Sequence, residues 1–181
     1  AKPGHGGLLP AHKNSPEIAK IRNLQPYTTV HSPSAHTAFS NAMELVHFIH
    51  KLKQLSGFKP VGFKLCIGRK EEFDEIVEAM LVSGIYPDFI TIDGAEGGTG
   101  AAPLEFIDYM GMALSDALAF ANHQLIKAGI RNQIKIFASG KIITAFDMAK
   151  NMALGADALY SARGMMFALG CIQALQCDSG K

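Results

Sequence analysis

From Asn41 onward the apolar positions of the chain alternate between helical and strand periods. Leu45, Phe48, Ile49 and Leu52 recur at helical spacing behind Asn41 and Glu44, residues suited to a capping-box-like start. Residues 61–66 read as a short strand. Phe73, Ile76, Val77, Met80 and Leu81 then mark one face of a second helix, closed by Gly84 at the C-cap position. Residues 88–93 form a strand with an apolar centre, and Leu114, Leu118, Ala121 and Leu125 mark a helix that ends near Gly129. Residues 133–139 are a third strand, Thr144 with Asp147 opens a helix ending at Gly155, and residues 157–161 are a fourth strand. The pattern predicts one further helix over residues 163–175.

Residues 1–40 differ. They are rich in Gly, Pro, His and Ser and read as loop, with one short helical stretch from Ser15, a suitable N-cap, through Pro16 at the first helical position. A long loop in a compact domain is usually functional. No linker or low-complexity run divides the chain, so residues 1–181 are expected to form one domain: a loop-rich segment, 1–40, and βα units, 41–181.

Strands alternating with helices imply βαβ units and a parallel sheet, whose chemistry sits at the carboxyl ends of the strands. Each predicted strand runs into polar or glycine-rich sequence: Lys64-Leu65-Cys66-Ile67-Gly68, the run from Asp93 to Gly100, Ser139-Gly140-Lys141, and Ser161-Ala162-Arg163-Gly164. On this pattern alone a doubly wound sheet and half of a (β/α)8 barrel fit equally well.

Composition narrows the partners. The 181 residues are 48% hydrophobic and 18% charged, which excludes a disordered chain. Lys+Arg 17 against Asp+Glu 16 leaves a net charge of +1, too little field to hold nucleic acid or an anionic membrane. No apolar run approaches the roughly 20 residues that span a bilayer. Three cysteines, an odd number, argue against a secreted disulfide scaffold and for a reducing compartment, read as the cytoplasm. The first residue is Ala1 rather than Met, which is expected of a piece of a longer polypeptide.

Several segments can carry chemistry. The loops of Ser139, Gly140 and Lys141 and of Ala162 and Arg163 read as two halves of a phosphate cradle, where glycine admits close backbone approach and Lys and Arg neutralise the anion. The same residue types also serve ordinary strand-to-helix turns. Lys64 lies in an otherwise apolar strand, a costly place unless it meets an anion or a cofactor. Asp93 and Glu96 flank a glycine loop and could bring two carboxylates to one mouth for acid–base work. Cys171 and Cys177, with five residues between them, suit thiolate ligands of a cluster. No zinc set forms around His47 and His50, and Met148, Met152 and Cys66 suit a core.

Together these segments resemble the flavin-binding domain of glutamate synthase and, more broadly, the FMN-binding glutamate synthase family. The match runs over essentially the whole chain: Lys2-Pro3-Gly4-His5-Gly6-Gly7, Ser15-Pro16-Glu17-Ile18-Ala19, Ser32-Pro33 with His36, Pro60-Val61-Gly62-Phe63-Lys64-Leu65, the run from Ile92 to Pro103, and Leu169-Gly170-Cys171-Ile172-Gln173. The glycine run Gly94-Ala95-Glu96-Gly97-Gly98-Thr99-Gly100 is its most specific part.

The resemblance implies part of an FMN-dependent (β/α)8 TIM barrel, roughly its last four strand–helix units. It places Lys64 beside the flavin pyrimidine edge, Gly140, Lys141, Ala162 and Arg163 on the FMN phosphate, and Asp93, Glu96, Gly97 and Gly98 on the face where substrate meets flavin. Cys171 and Cys177 would be two of three thiolates on a 3Fe–4S cluster, the third coming directly after Lys181. The implied reaction is an oxidoreduction, the reductive formation of glutamate from 2-oxoglutarate and ammonia. Its implied partners are the remainder of the same polypeptide and an electron-donor subunit or ferredoxin. His5 departs from the pattern, standing where the resemblance leads one to expect an acidic residue, and no glutaminase domain is expected within these 181 residues. By itself the stretch is expected to be inactive. The rival expectations are a flavin barrel acting on another substrate, a phosphate-binding barrel enzyme without flavin, and a non-enzymatic flavin-binding or oligomerisation module.

Overall fold

The protein is represented by a computed structural model that describes residues 7–97, 105–106 and 108–174. Its centre is a four-stranded sheet of β3 (Gly62–Leu65), β4 (Phe89–Asp93), β5 (Lys135–Ser139) and β6 (Ala158–Tyr160). The strands are all parallel and lie in the order of the chain, β3-β4-β5-β6. Helices α2 (Ala42–Leu55), α3 (Lys70–Ser83), α4 (Leu114–Lys127) and α5 (Ala145–Ala153) precede, separate and cover them. Sequential parallel order without reversal is the arrangement of consecutive units in a (β/α)8 barrel, so the fold is α/β, a partial barrel.

The register explains which residues face the helices. Phe63, Ile90 and Ile136 are cross-strand partners, as are Leu65, Ile92, Ala138 and Leu159. Ile90, Ile92, Ile136 and Ala138 are completely buried and pack with Phe73, Val77 and Met80 of α3 and Leu114, Leu118, Ala121 and Leu125 of α4. Burying one such Leu or Ile side chain contributes about 1.5–3 kcal/mol, so truncating Leu118 or Ile92 would damage the fold most directly. The opposite face carries Gly62, Phe89 and Lys135, then Lys64, Thr91, Phe137 and Ala158, then Asp93, Ser139 and Tyr160. These are layers of the kind that fill a barrel interior. Phe89 stacks on Phe137 with centroids 5.1 Å apart, and Phe137 meets Tyr160 edge-on at 5.9 Å. A side chain at Gly62 would run into the Phe89 carbonyl and ring.

Local signals hold at most helix ends. Ser15 caps α1 (Pro16–Arg22) by accepting from the Ile18 amide, and Thr144 and Asp147 form a reciprocal capping box on α5. Asn41 accepts from the Glu44 amide, but the Glu44 carboxylate turns back to the Ser40 amide and hydroxyl rather than to Asn41. Gly84 closes α3 in the left-handed conformation, φ 67°.

Two expectations are corrected. The continuous helix over 163–175 is broken: α6 (Ala162–Ala168) and α7 (Cys171–Ala174) are separated at Leu169–Gly170, with Gly170 at φ 67° turning the chain. The 1–40 segment is less irregular than it reads. Leu8–Leu9 (β1) pairs antiparallel with Val30–His31 (β2), and a 3-10 turn covers Ala11–Lys13. Wholly buried Asn14 ties this segment together through its amide group, which donates to the carbonyls of Gln25 at 2.8 Å and Thr28 at 3.0 Å.

Candidate active site

The predicted residues come from four loops at the carboxyl ends of four adjacent parallel strands. Lys64 sits in β3 on the inner face, opposite Thr91, and Asp93 closes β4 two residues further along that face. The Lys64 ammonium lies 3.6 Å from the Asp93 carboxylate. Lys64 is 53% exposed while Asp93 is 5% exposed, so a solvent-facing cation stands over a buried anion. Its own exposure lets Lys64 offer charge to a ligand, while buried Asp93 keeps it at the mouth.

Beyond Asp93 the chain is tightly held. The Gly94 amide donates to the Ser139 carbonyl at 2.8 Å, joining the β4 and β5 loops, and the Ala95 amide donates to Met112 at 2.8 Å. The Met112 amide in turn donates to Ile67 at 2.8 Å, which brings the β3 loop into the same belt. Gly97 lies directly on the site: a Cβ there would collide with the Asp93 carboxylate and come within 3.0 Å of the Gly140 Cα. Gly140 has φ 137° and lies against the Gly94 and Gly97 amides, which only glycine does without strain.

Glu96 points elsewhere. Both of its carboxylate oxygens are 3.0 Å from the Leu114 amide, the first residue of α4. Lys141, at φ 48°, extends to Asp108 at 2.7 Å, an ion pair that sequence analysis missed because its members are 33 residues apart. The β5 and β6 loops are joined by the Ser161 hydroxyl, which donates to the Ile142 carbonyl at 2.8 Å, and Gly164 leaves no room for a side chain beside Ser161 and Ile143. Ala162 and exposed Arg163 open α6 next to this junction. The structure therefore brings Lys64, Asp93, Gly97 and Gly140 into contact, and puts Ser139 and Lys141 beside the loop of Ala162 and Arg163. A polar cavity of about 70 Å3 behind the loops, lined by Glu96, Lys141, Asp147 and Asn151, is too small for a cofactor.

Cys171 is half-buried at the start of α7. Gly98, Cys177, His5 and residues 99–103 lie outside the described residues. Among the described residues no group of three His, Cys, Asp or Glu side chains could hold a metal ion, and no helix is long and apolar enough to cross a membrane.

The conserved region of glutamate synthase matches residues 1–181. The glutamate synthase large subunit-like protein YerD of Bacillus subtilis is 48% identical over 174 residues, 96% of this chain and 33% of that protein. The archaeal glutamate synthase [NADPH] of Methanocaldococcus jannaschii is 37% identical over 181 residues, 99% of this chain and 35% of the relative. The glutamate synthase [NADH] of Saccharomyces cerevisiae is 32% identical over 180 residues, 98% of this chain and 8% of the yeast protein. The chain thus spans about a third of the length of the first two relatives. Among solved structures, a doubly substituted flavocytochrome b2 with pyruvate bound superposes with a TM-score of 0.50 at 17% identity, over 91% of this chain and 35% of that one, a likeness of fold. A match that covers every residue, on a partial barrel whose strand ends gather Lys64, Asp93 and the glycine loops, places this chain in the glutamate synthase family.

Proposed function

We propose that the protein containing this chain is a glutamate synthase-type oxidoreductase that binds FMN at the open inner face of the sheet and forms glutamate from 2-oxoglutarate and ammonia. The observation that carries the reading is the Lys64–Asp93 pair at the mouth of strands β3 and β4, in a chain that belongs to the family throughout. The names of the relatives, with NADPH or NADH, extend it to a reduced nicotinamide nucleotide as the electron source.

The donor set fits FMN. Glycine loops that leave no room for side chains, with Lys141 and Arg163 beside them, suit a phosphate dianion, and the Lys141–Asp108 pair is exposed enough for an anion to compete with Asp108. Ser139, Gly140, Lys141, Ala162 and Arg163 would hold the phosphate, with Gly97 and Gly98 along the ring and Lys64 at its pyrimidine edge. Bound there, FMN would supply the two-electron chemistry that reduces the imine of 2-oxoglutarate and ammonia. Lys64 stabilises negative charge at the mouth. Buried Asp93 restrains the Lys64 ammonium and, through Gly97, sets the shape of the substrate face. The proposal extends to a 3Fe–4S cluster on Cys171 and Cys177, since thiolates are the donors such clusters take, and to a reducing, cytoplasmic compartment.

The test is an absorption spectrum of the intact protein, followed by 2-oxoglutarate- and ammonia-dependent oxidation of NADPH or NADH. Flavin bands with turnover are expected, and a colourless protein that retains no added FMN would overturn the reading. His5, at a position acidic in true glutamate synthases, favours a second reading that keeps the flavin and changes the substrate. Flavin that 2-oxoglutarate and ammonia leave reduced would select it.

A further inference from the structure

Glu96 stands in the glycine run between Asp93 and Gly97, where a carboxylate invites an acid–base role. Its surroundings assign a different one. Helix α4 begins at Leu114 behind Ala113, which has no side chain able to cap it. The unsatisfied amide of the first turn is met instead by Glu96, from 18 residues away, with both oxygens 3.0 Å from the Leu114 nitrogen. A negative charge at that end of a 14-residue helix is also favoured by the helix dipole. Gly94 is cut to fit this contact, because a Cβ there would strike the Glu96 carboxylate and the Leu114 backbone. Leu114 itself is 2% exposed, so the far end of the clasp is anchored in the core.

The near end leads to the candidate active site. Glu96 is followed by Gly97, whose amide folds back to the Gly94 carbonyl at 2.8 Å and where a Cβ would strike the Asp93 carboxylate and crowd Gly140. Asp93 in turn lies 3.6 Å from Lys64. One continuous set of contacts therefore runs from the core end of α4 through Glu96 and Gly97 to the Lys64–Asp93 pair.

We infer that Glu96 is a positioning residue, which holds the Gly94–Gly97 loop against Asp93 by capping α4 and transfers no proton to substrate. The inference rests on the flavin enzyme reading for its consequence in turnover, but its structural half can be read without flavin. The experiment uses the intact protein and three variants, Glu96→Gln, Glu96→Asp and Glu96→Ala. Hydrogen exchange is followed at the Leu114 amide, together with flavin retention, KM, kcat and the pH profile. Gln keeps an acceptor oxygen at full reach. Asp keeps the acid but is one methylene short. Positioning predicts that Leu114 exchange rises about tenfold in Ala and Asp but not in Gln, the factor expected for losing one hydrogen bond. Gln should rescue flavin retention and keep kcat within about fivefold of the parent with both limbs of the pH profile in place, whereas Ala and Asp lose flavin or raise KM. Unchanged Leu114 exchange in Ala or Asp would overturn the clasp. A Gln variant that keeps flavin and Leu114 protection, yet loses a limb of the pH profile and about 100-fold or more in kcat, would make Glu96 the acid–base group instead. If Ala does not fold, Gln and Asp still divide the two outcomes. A colourless parent protein would remove the flavin reading alone, leaving Leu114 exchange to decide the clasp.

Discussion

Asp88 and Asp157 make the same closed pair of hydrogen bonds, one two-strand repeat apart. The Asp88 amide donates to the Val61 carbonyl at 2.9 Å and the Val61 amide donates to the Asp88 carboxylate at 2.7 Å. The Asp157 amide donates to the Ile136 carbonyl at 2.7 Å, and the Ile136 amide donates to the Asp157 carboxylate at 2.8 Å. Each carboxylate also meets a cation, Lys53 at 3.0 Å or Arg131 at 2.8 Å. The two staples close the amino ends of the β3–β4 and β5–β6 pairs, opposite the candidate active site.

Acid should release them. Burial pushes both carboxyls up, but the Val61 amide and Lys53 at Asp88, and the Ile136 amide, Arg131 and Lys135 at Asp157, outweigh it and hold both below the ordinary 3.8. A lowered folded pKa gives stability that is complete above the ordinary value and is lost as pH falls through the folded one. Urea melts should thus show stability falling below about pH 4 from these groups. Replacing both by Asn should flatten that acid limb and cost about 1–2 kcal/mol per site at neutral pH, a figure discounted for partial exposure. An unaltered acid limb in the double variant would refute the assignment.

Arg131 ties several segments together at the same end. It donates to Asn122 Oδ1 at 2.6 Å, to the carbonyls of Ile134 and Gly155 at 2.9 and 2.8 Å, and to Asp157 at 2.8 Å. A lysine cannot reproduce a planar fork with that many partners. Arg131→Lys should destabilise the protein by about 1–3 kcal/mol and Arg131→Ala by more. A Tm for Arg131→Lys equal to that of the parent would show the network to be dispensable.

Arg163→Ala in the intact protein should weaken FMN retention by about 1–3 kcal/mol, the scale of one charge-assisted contact. Flavin occupancy after dialysis measures it. Full occupancy would leave the β6 loop a plain turn.

If Lys64 stands at the flavin edge as proposed, removing its charge should make the reduced ring harder to form. Lys64→Met is expected to lower the two-electron midpoint potential by roughly 30–60 mV, where about 30 mV corresponds to a tenfold change in the equilibrium. Spectroelectrochemical titration of the two proteins decides this, and an unmoved potential would detach Lys64 from the flavin.

Anaerobically prepared intact protein should contain about three irons, and Cys171→Ser should remove them while leaving the flavin in place. Metal analysis that finds no iron in the parent would end the cluster proposal.

Much of this protein was legible in its sequence because the relevant physics is local. The helical period of Phe73, Val77 and Met80, the Thr144–Asp147 capping box and the left-handed Gly84 need only neighbours within a turn or two. The alternation of strands and helices carries the parallel sheet, and the run from Ile92 to Pro103 carries the family. What the tertiary structure decided are relationships between residues far apart in the chain. The strand order separates a barrel from a doubly wound sheet, and it follows from how the helices pack on one face. The β1–β2 pair was hidden because two-residue strands carry no period. Glu96 reads as a free carboxylate until the fold brings the Leu114 amide to it across 18 residues, and a hydrogen bond made through space leaves no periodic mark on either end.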